Sequence, residues 1–350
     1  MIKVVHEVYP SSENGRNSEG CFFTGVNGDI LFAYSRYASG NTDDDAACNI
    51  ALIRSTDNGE SWTDCEIIAH ASDFGVRNIM CASALPLSDG RLCVYFLIKE
   101  NDGTSSIGRT ISSDGVKFVP ESCRCDFPKA YYVIENDRFV RLSDGRVATV
   151  AARHLERDMG EIMPFVSDDD GASFHHTGAF LKLSGTLGVN CGLEEPGIIE
   201  LDNGLIWLYM RTELMYQYQS YSIDGMRSFT PIEPSVFTSP RSPMTVIRIS
   251  DGSLLAAYNP VPNYNGRAEL TGDMNMNTNW SGRTPLVLRC SKDNGRTWGE
   301  LVAIETEKRV DFCYPSLYET SDRSILCSYM CIKGSFEKIH MRITKITGLL

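Results

Sequence analysis

Long apolar runs are missing from this chain. It has no stretch of 18 apolar residues, so no membrane-spanning helix is expected. Positive charge is scarce too. Lys and Arg number 33 against 45 Asp and Glu, a net charge of -12. That argues against nucleic acid and against an anionic membrane surface as partners, since both favour a basic face. Low-complexity segments, linkers and charge runs are absent. Met1-Ile2-Lys3 leads straight into a strand pattern with no leader, and a cytoplasmic protein is expected. Cysteine is plentiful at 12, but no Cys/His spacing fits zinc. Cys21, Cys81, Cys93, Cys290, Cys327 and Cys331 fall inside apolar strand runs, where a thiol acts as a small hydrophobe. Cys123 and Cys125 are too close together to bridge easily. Reduced thiols, no metal and no cofactor are expected.

What is present repeats. Ser291-Lys292-Asp293-Asn294-Gly295-Arg296-Thr297-Trp298 spells a tight turn. Its Ser, Asp and Asn can bond nearby backbone, Gly takes the positive-φ position, and Trp298 plugs the layer beneath. Ser55 to Trp62 and Ser167 to Phe174 repeat the spelling. Ser112 to Phe118 and Ser222 to Phe229 are shortened copies, each lacking the residue between Asp and Gly. A period of about 55 to 70 residues marks one supersecondary unit used repeatedly.

A second series interleaves with the first. Asn27-Gly28, Asp89-Gly90, Asp144-Gly145, Asn203-Gly204, Asp251-Gly252 and the degenerate Asp322-Arg323 each sit between apolar runs. One unit therefore reads strand, Asx-Gly turn, strand, connection, strand, locked turn, strand. Six such units predict an all-β, six-bladed β-propeller with four strands per blade, a single domain over residues 1–350. The last unit has no locked turn, so the N-terminal strand, Ile2 to Val8, is expected to complete it beside 338–346. Residues Asn259 to Arg283 are too long for a hairpin connection and read as a lid or a disordered insert.

This topology sorts residues by face. Both turn series lie on one face, and whatever precedes or follows the inner strands gathers on the other. That face collects Arg16, Glu19, Arg36, the Asp43-Asp44-Asp45 run, Arg77-Asn78, Lys99, Tyr131-Tyr132 and His154. It also collects Glu194, Glu195, Arg211, Arg241, Arg283 and Tyr314. Several arginines converging in an acidic protein suit an anion, and guanidinium forks match carboxylates.

The locked turns resemble the Asp-box of the sialidase (neuraminidase) superfamily, and the match covers nearly the whole chain. The resemblance implies a six-bladed propeller and an exo-acting glycoside hydrolase. In that family three arginines grip a sugar carboxylate. Arg16, Arg211 and Arg283 hold the matching places, with Arg16 expected just before the first strand of blade one. The family nucleophile is a Tyr in a motif similar to Cys313-Tyr314-Pro315-Ser316-Leu317. Glu195 would be its base, and Asp43, Asp44 or Asp45 the acid. Glu19, Arg36, Arg241, Glu194 and His154 are further substrate-binding candidates. The family usually has Arg-Ile-Pro at the first arginine, where this chain has Arg16-Asn17-Ser18.

The residue types suit that chemistry. A carboxylate nucleophile would repel an anionic substrate, whereas a neutral phenol would not. The expected partner is a carboxylate-bearing glycan or glycoside. Two other readings stay open. One is a polysaccharide lyase acting on a uronate, with Tyr314 or His154 taking the proton. The other is a non-catalytic glycan-binding propeller.

Overall fold

The structure is a computed structural model. It describes residues 1–40, 43–154, 160–183, 192–261, 282–307, 310–333 and 339–349. Most of the expected lid or insert, 262–281, lies outside the described residues.

Strand β1 (Ile2–Val8) comes first. It is followed by β2 (Asn14–Thr24), β3 (Ile30–Ala38), β4 (Cys48–Ser55) and β5 (Glu66–Ala69). Next are β6 (Asn78–Ala84), β7 (Leu92–Lys99), β8 (Ser105–Ser112) and β9 (Val119–Ser122). A third group holds β10 (Arg124–Asp126), β11 (Tyr131–Val133), β12 (Val140–Arg141), β13 (Val147–His154), β14 (Gly160–Ser167) and β15 (Ser173–His176). Then come β16 (Glu194–Glu200), β17 (Ile206–Arg211), β18 (Tyr216–Ser222) and β19 (Glu233–Thr238). They are followed by β20 (Thr245–Arg248), β21 (Leu254–Tyr258), β22 (Leu286–Ser291) and β23 (Val302–Glu305). The last are β24 (Val310–Glu319), β25 (Ile325–Lys333) and β26 (Ile339–Ile346).

The fold is all-β and propeller-like, with only short 3-10 turns among the described residues. The expectation of six separate four-stranded blades needs correction. Hydrogen bonding gives five sheets, of four, six, four, eight and four strands. The eight-stranded sheet arises because Cys48 pairs with Asn78 in parallel, joining β4 to β6. The six-stranded sheet arises because short β10, β11 and β12 add to β13, β14 and β15. Ring closure by the chain ends does occur. β1 pairs with β26, from Ile2 opposite Ile346 to Val8 opposite Met341.

The core lies between sheets. Strands alternate, so each sheet turns one row of apolar side chains to each neighbour. Leu326, Met341 and Ile343 of the C-terminal sheet pack on Phe22, Phe32 and Tyr34 near the start of the chain. Ile325, Cys327 and Tyr329 turn the other way, onto Leu255, Leu286 and Leu288. Each fully buried side chain of this size stabilises by about 1.5–3 kcal/mol.

The repeated turns are built alike. Asp57 Oδ1 accepts the N–H groups of Glu60 and Ser61, and Ser55 Oγ accepts that of Gly59. Asp293 accepts Thr297 N–H in the same way, and the shortened copies do so through Asp114 and Asp224. Trp298 lies against Phe237, ring centres 4.8 Å apart. The eleven cysteines among the described residues are all unbridged.

Candidate active site

Four of the inner strands carry the same irregularity at the same end. In β2, β6, β16 and β24 two residues face one on the neighbouring strand, a β-bulge. The first residue of each bulge is left-handed and is not glycine: Glu19 (φ 48), Cys81 (φ 62), Glu195 (φ 42) and Tyr314 (φ 56). Asp137, in the connection between β11 and β12, is left-handed as well (φ 60). Such a conformation costs about 1–3 kcal/mol per residue and persists only where the surroundings impose it. Here it swings the side chain out of strand alternation. Three of these residues were candidates by sequence: Glu19, Glu195 and Tyr314.

Tyr314 donates its hydroxyl to Glu195 Oε1 at 3.2 Å. Burial, and then the charge of Glu195, push the phenol well above its ordinary pKa. It therefore stays neutral unless a base removes the proton. Glu195 also pairs with the buried Arg211, and its Oε2 has no hydrogen-bond partner among the described residues. Arg211 is the register neighbour of Glu194, with Nη2 at 3.1 Å from its Oε2. Arg241 grips Glu194 with two bonds, of 2.9 and 2.7 Å. Burial disfavours the Glu194 charge, but Arg211 and Arg241 outweigh it and hold the carboxyl below its usual range. Arg283, 1% exposed, places its guanidinium 5.6 Å from the Tyr314 ring centre and donates to the Arg241 carbonyl.

Arg16 is also buried, yet it lies within β2 rather than before the first strand, because pairing already begins at Asn14 opposite Ala38. Its guanidinium stacks 4.5 Å from the Tyr37 ring centre and pairs with Glu19 and, at 2.5 Å, with Asp44 Oδ1. Burial raises the Glu19 pKa despite Arg16. Lost hydration opposes the Asp44 charge, but Arg16 first, then Lys99 and Arg211, hold its carboxyl low. Asp43, Asp44 and Asp45 are all exposed, and Asp45 Oδ1 accepts from Lys99 at 2.5 Å. His154 lies against the Tyr131 ring, 5.6 Å between centres.

Arg36 does not join this cluster. It is one residue from Tyr37 on β3, so it points to the opposite face, the side of Tyr34.

Sequence reasoning missed Glu135. It is 3% exposed, and its pKa is raised to about 8 by burial and by the charges of Glu195 and Glu19. Asp137, next along, is raised to about 6 by burial, and its Oδ2 accepts from Ser316 Oγ at 3.0 Å. The run Glu135-Asn136-Asp137-Arg138 looks like a solvated turn. Its place at the start of a unit, matching Glu19 and Glu195, was the available signal.

The BNR repeat-like domain family matches residues 28–327, most of the chain. None of the curated proteins matches it. Solved structures resemble it over nearly its full length. A Dyadobacter fermentans protein of unknown function gives a TM-score of 0.72 at 17% identity, covering 99% of both chains. A Hadza microbial sialidase gives 0.72 at 16%, covering 95% of this chain and 66% of that one. The NanB sialidase of Streptococcus pneumoniae gives 0.71 at 11%, covering 99% and 70%. At such identities the likeness is one of fold. The chain belongs to the BNR repeat-like domain family.

Proposed function

We propose that the protein is an exo-acting glycoside hydrolase that removes a terminal carboxylate-bearing sugar, sialic acid or a similar one. The observation that carries this reading is the Tyr314–Glu195 hydrogen bond, set among the buried guanidinium groups of Arg211 and Arg283. The Tyr314 oxygen attacks the anomeric carbon while Glu195 accepts its proton. The bond to the leaving oxygen breaks, its electron pair stays on that oxygen, and Asp44 delivers a proton there. Water then attacks the same carbon and gives its proton to Asp44. Tyr314 leaves and recovers its own proton from Glu195.

The Arg16–Asp44 pair fits this cycle. Without substrate, Arg16 keeps Asp44 ionised and useless as an acid. A substrate carboxylate that engages Arg16 draws its charge away from Asp44, whose pKa then rises toward a range where it can donate. The carboxylate of the substrate thus helps arm the acid.

The test is turnover of a panel of acidic glycosides with products read by mass, in wild type and Tyr314→Phe. Release of an intact hydrated sugar by wild type alone is the expected result. An unsaturated, ultraviolet-absorbing product would instead favour a lyase, and binding without turnover a glycan-binding module.

A further inference from the structure

Three adjacent aspartates follow β3, and it is the Asp44 carboxylate that pairs with Arg16 at 2.5 Å. What fixes that choice comes from the neighbouring half of the eight-stranded sheet. Asn78 opens β6 and Lys99 ends β7, and the two are register partners. Asn78 is 2% exposed. Its Nδ2 donates to the Asp44 carbonyl at 3.0 Å and to the Ala46 carbonyl at 2.6 Å. Lys99 Nζ donates to the same Asp44 carbonyl at 3.0 Å and to Asp45 Oδ1 at 2.5 Å, and lies 5.4 Å from the Tyr131 ring centre. Beside them Cys48 N–H donates to the Arg77 carbonyl at 3.2 Å. Asp44 is therefore held twice. Its backbone is fixed by Asn78 and Lys99, while its carboxylate is left to Arg16 and the pocket. Asp45 is spent on the lysine.

We propose that Asn78 and Lys99 form a clasp that positions Asp44, and not Asp43 or Asp45, as the general acid, an inference that rests on the glycosidase reading. Neither residue touches the reacting atoms; both are positioning residues. Their grip is on the main chain, so the Asp44 side chain can leave Arg16 when substrate binds without the loop moving. A clasp of this kind governs only the step that needs acid. Loss of Lys99 should therefore be felt in proportion to how poor the leaving group is.

Two measurements on the full-length protein test this. The first compares kcat/KM for a substrate whose leaving group is a sugar hydroxyl with that for an aryl glycoside of the same sugar. Lys99→Met and Asn78→Ala should lower the former by roughly 10- to 100-fold, a typical share for general acid catalysis, and the latter by less than about 3-fold. Lys99→Arg should restore most of the loss. Equal losses on both substrates, or no loss on either, overturn the proposal. The second is hydrogen exchange, which needs no activity. Peptides spanning 43–47 should exchange faster in Lys99→Met, where Ala46 N–H bonds Asp43 O, and so should the Ala38 amide, which donates to Ala47 O, with the rest of the chain unchanged. Unchanged exchange there overturns the clasp. If wild type turns over no glycoside, the glycosidase reading fails, while the exchange measurement still decides the clasp.

Discussion

The carboxylates of the repeated turns and those of the pocket are the same chemical groups put to opposite use. In the turns Asp57, Asp224 and Asp293 sit at the surface, each with a pKa lowered to about 2. The causes are a side-chain bond from Ser61, Ser228 or Thr297 and the backbone N–H of the same residue. In the pocket Glu135 and Asp137 are raised to about 8 and about 6 by burial. The turn aspartates serve their own neighbours in sequence and lock local shape. Glu135 and Asp137 are held among distant residues, where burial, joined at Glu135 by the charges of Glu195 and Glu19, outweighs their bonds.

The sharpest way to test this contrast is to remove one oxygen. Tyr314→Phe keeps the ring and its packing, and should lower turnover by roughly 10³-fold or more, as losses of a nucleophile do. The melting temperature should hardly change. Kinetics beside calorimetry would read both, and full activity would end the tyrosine mechanism.

Arg211→Met should act on both properties. It leaves Glu194 and Glu195 buried without their shared cation, which costs about 3–5 kcal/mol when a buried pair is broken. Activity should fall roughly 10²-fold, as when one charge-stabilising donor is lost. Denaturant titration with the same kinetics would show whether the pocket charge is also structural.

Glu135→Gln should reveal itself through pH. The folded pKa, about 8, lies above the unfolded carboxylate value, so the folded protein binds the proton more tightly. Wild type therefore loses stability as pH rises from about 4.5 to about 8, and the variant lacks that loss. Relative to wild type, the variant should melt progressively higher across that window and hold its advantage above it. Parallel melting curves across the window would contradict a neutral buried Glu135.

Asp57→Asn should have the smallest effect and the opposite pH sign. A depressed pKa stabilises above the unfolded value, and that stability is lost as pH falls from about 4 through about 2. The variant should melt no more than a few degrees lower at neutral pH, converge with wild type in acid, and keep full turnover. A change in kcat would tie the turns to the site.

The turn pattern carries most of the fold, since its bonds join residues two to four apart. Ser55, Asp57 and Gly59 can be read from one short stretch, and so can the alternation that fills the spaces between sheets. The candidate site was legible only in part. Rim positions follow from strand order, which put Tyr314, Glu195, Arg211, Arg283, Arg241, Glu194, Arg16, Glu19, Arg36, His154 and the undivided Asp43-Asp44-Asp45 run on one face. Which side of β3 the Arg36 side chain takes depends on strand parity, which the rim argument does not use. Glu135 was missed because a buried polar run is spelled like an exposed one.

By itself the sequence determined what short-range hydrogen bonding and apolar periodicity determine: strands, locked turns, and a ring closed by both chain ends. Tertiary structure decided the rest. The bulges at Glu19, Cys81, Glu195 and Tyr314 have no local signal, because each left-handed residue is held by its sheet against its own preference. The pairing of Tyr314 with Glu195 spans 119 residues, and that of Asn78 with Asp44 spans 34. The joining of β4 to β6 hangs on Cys48 meeting Asn78. Such contacts depend on how packed sheets meet, and no window of sequence contains both sides of them.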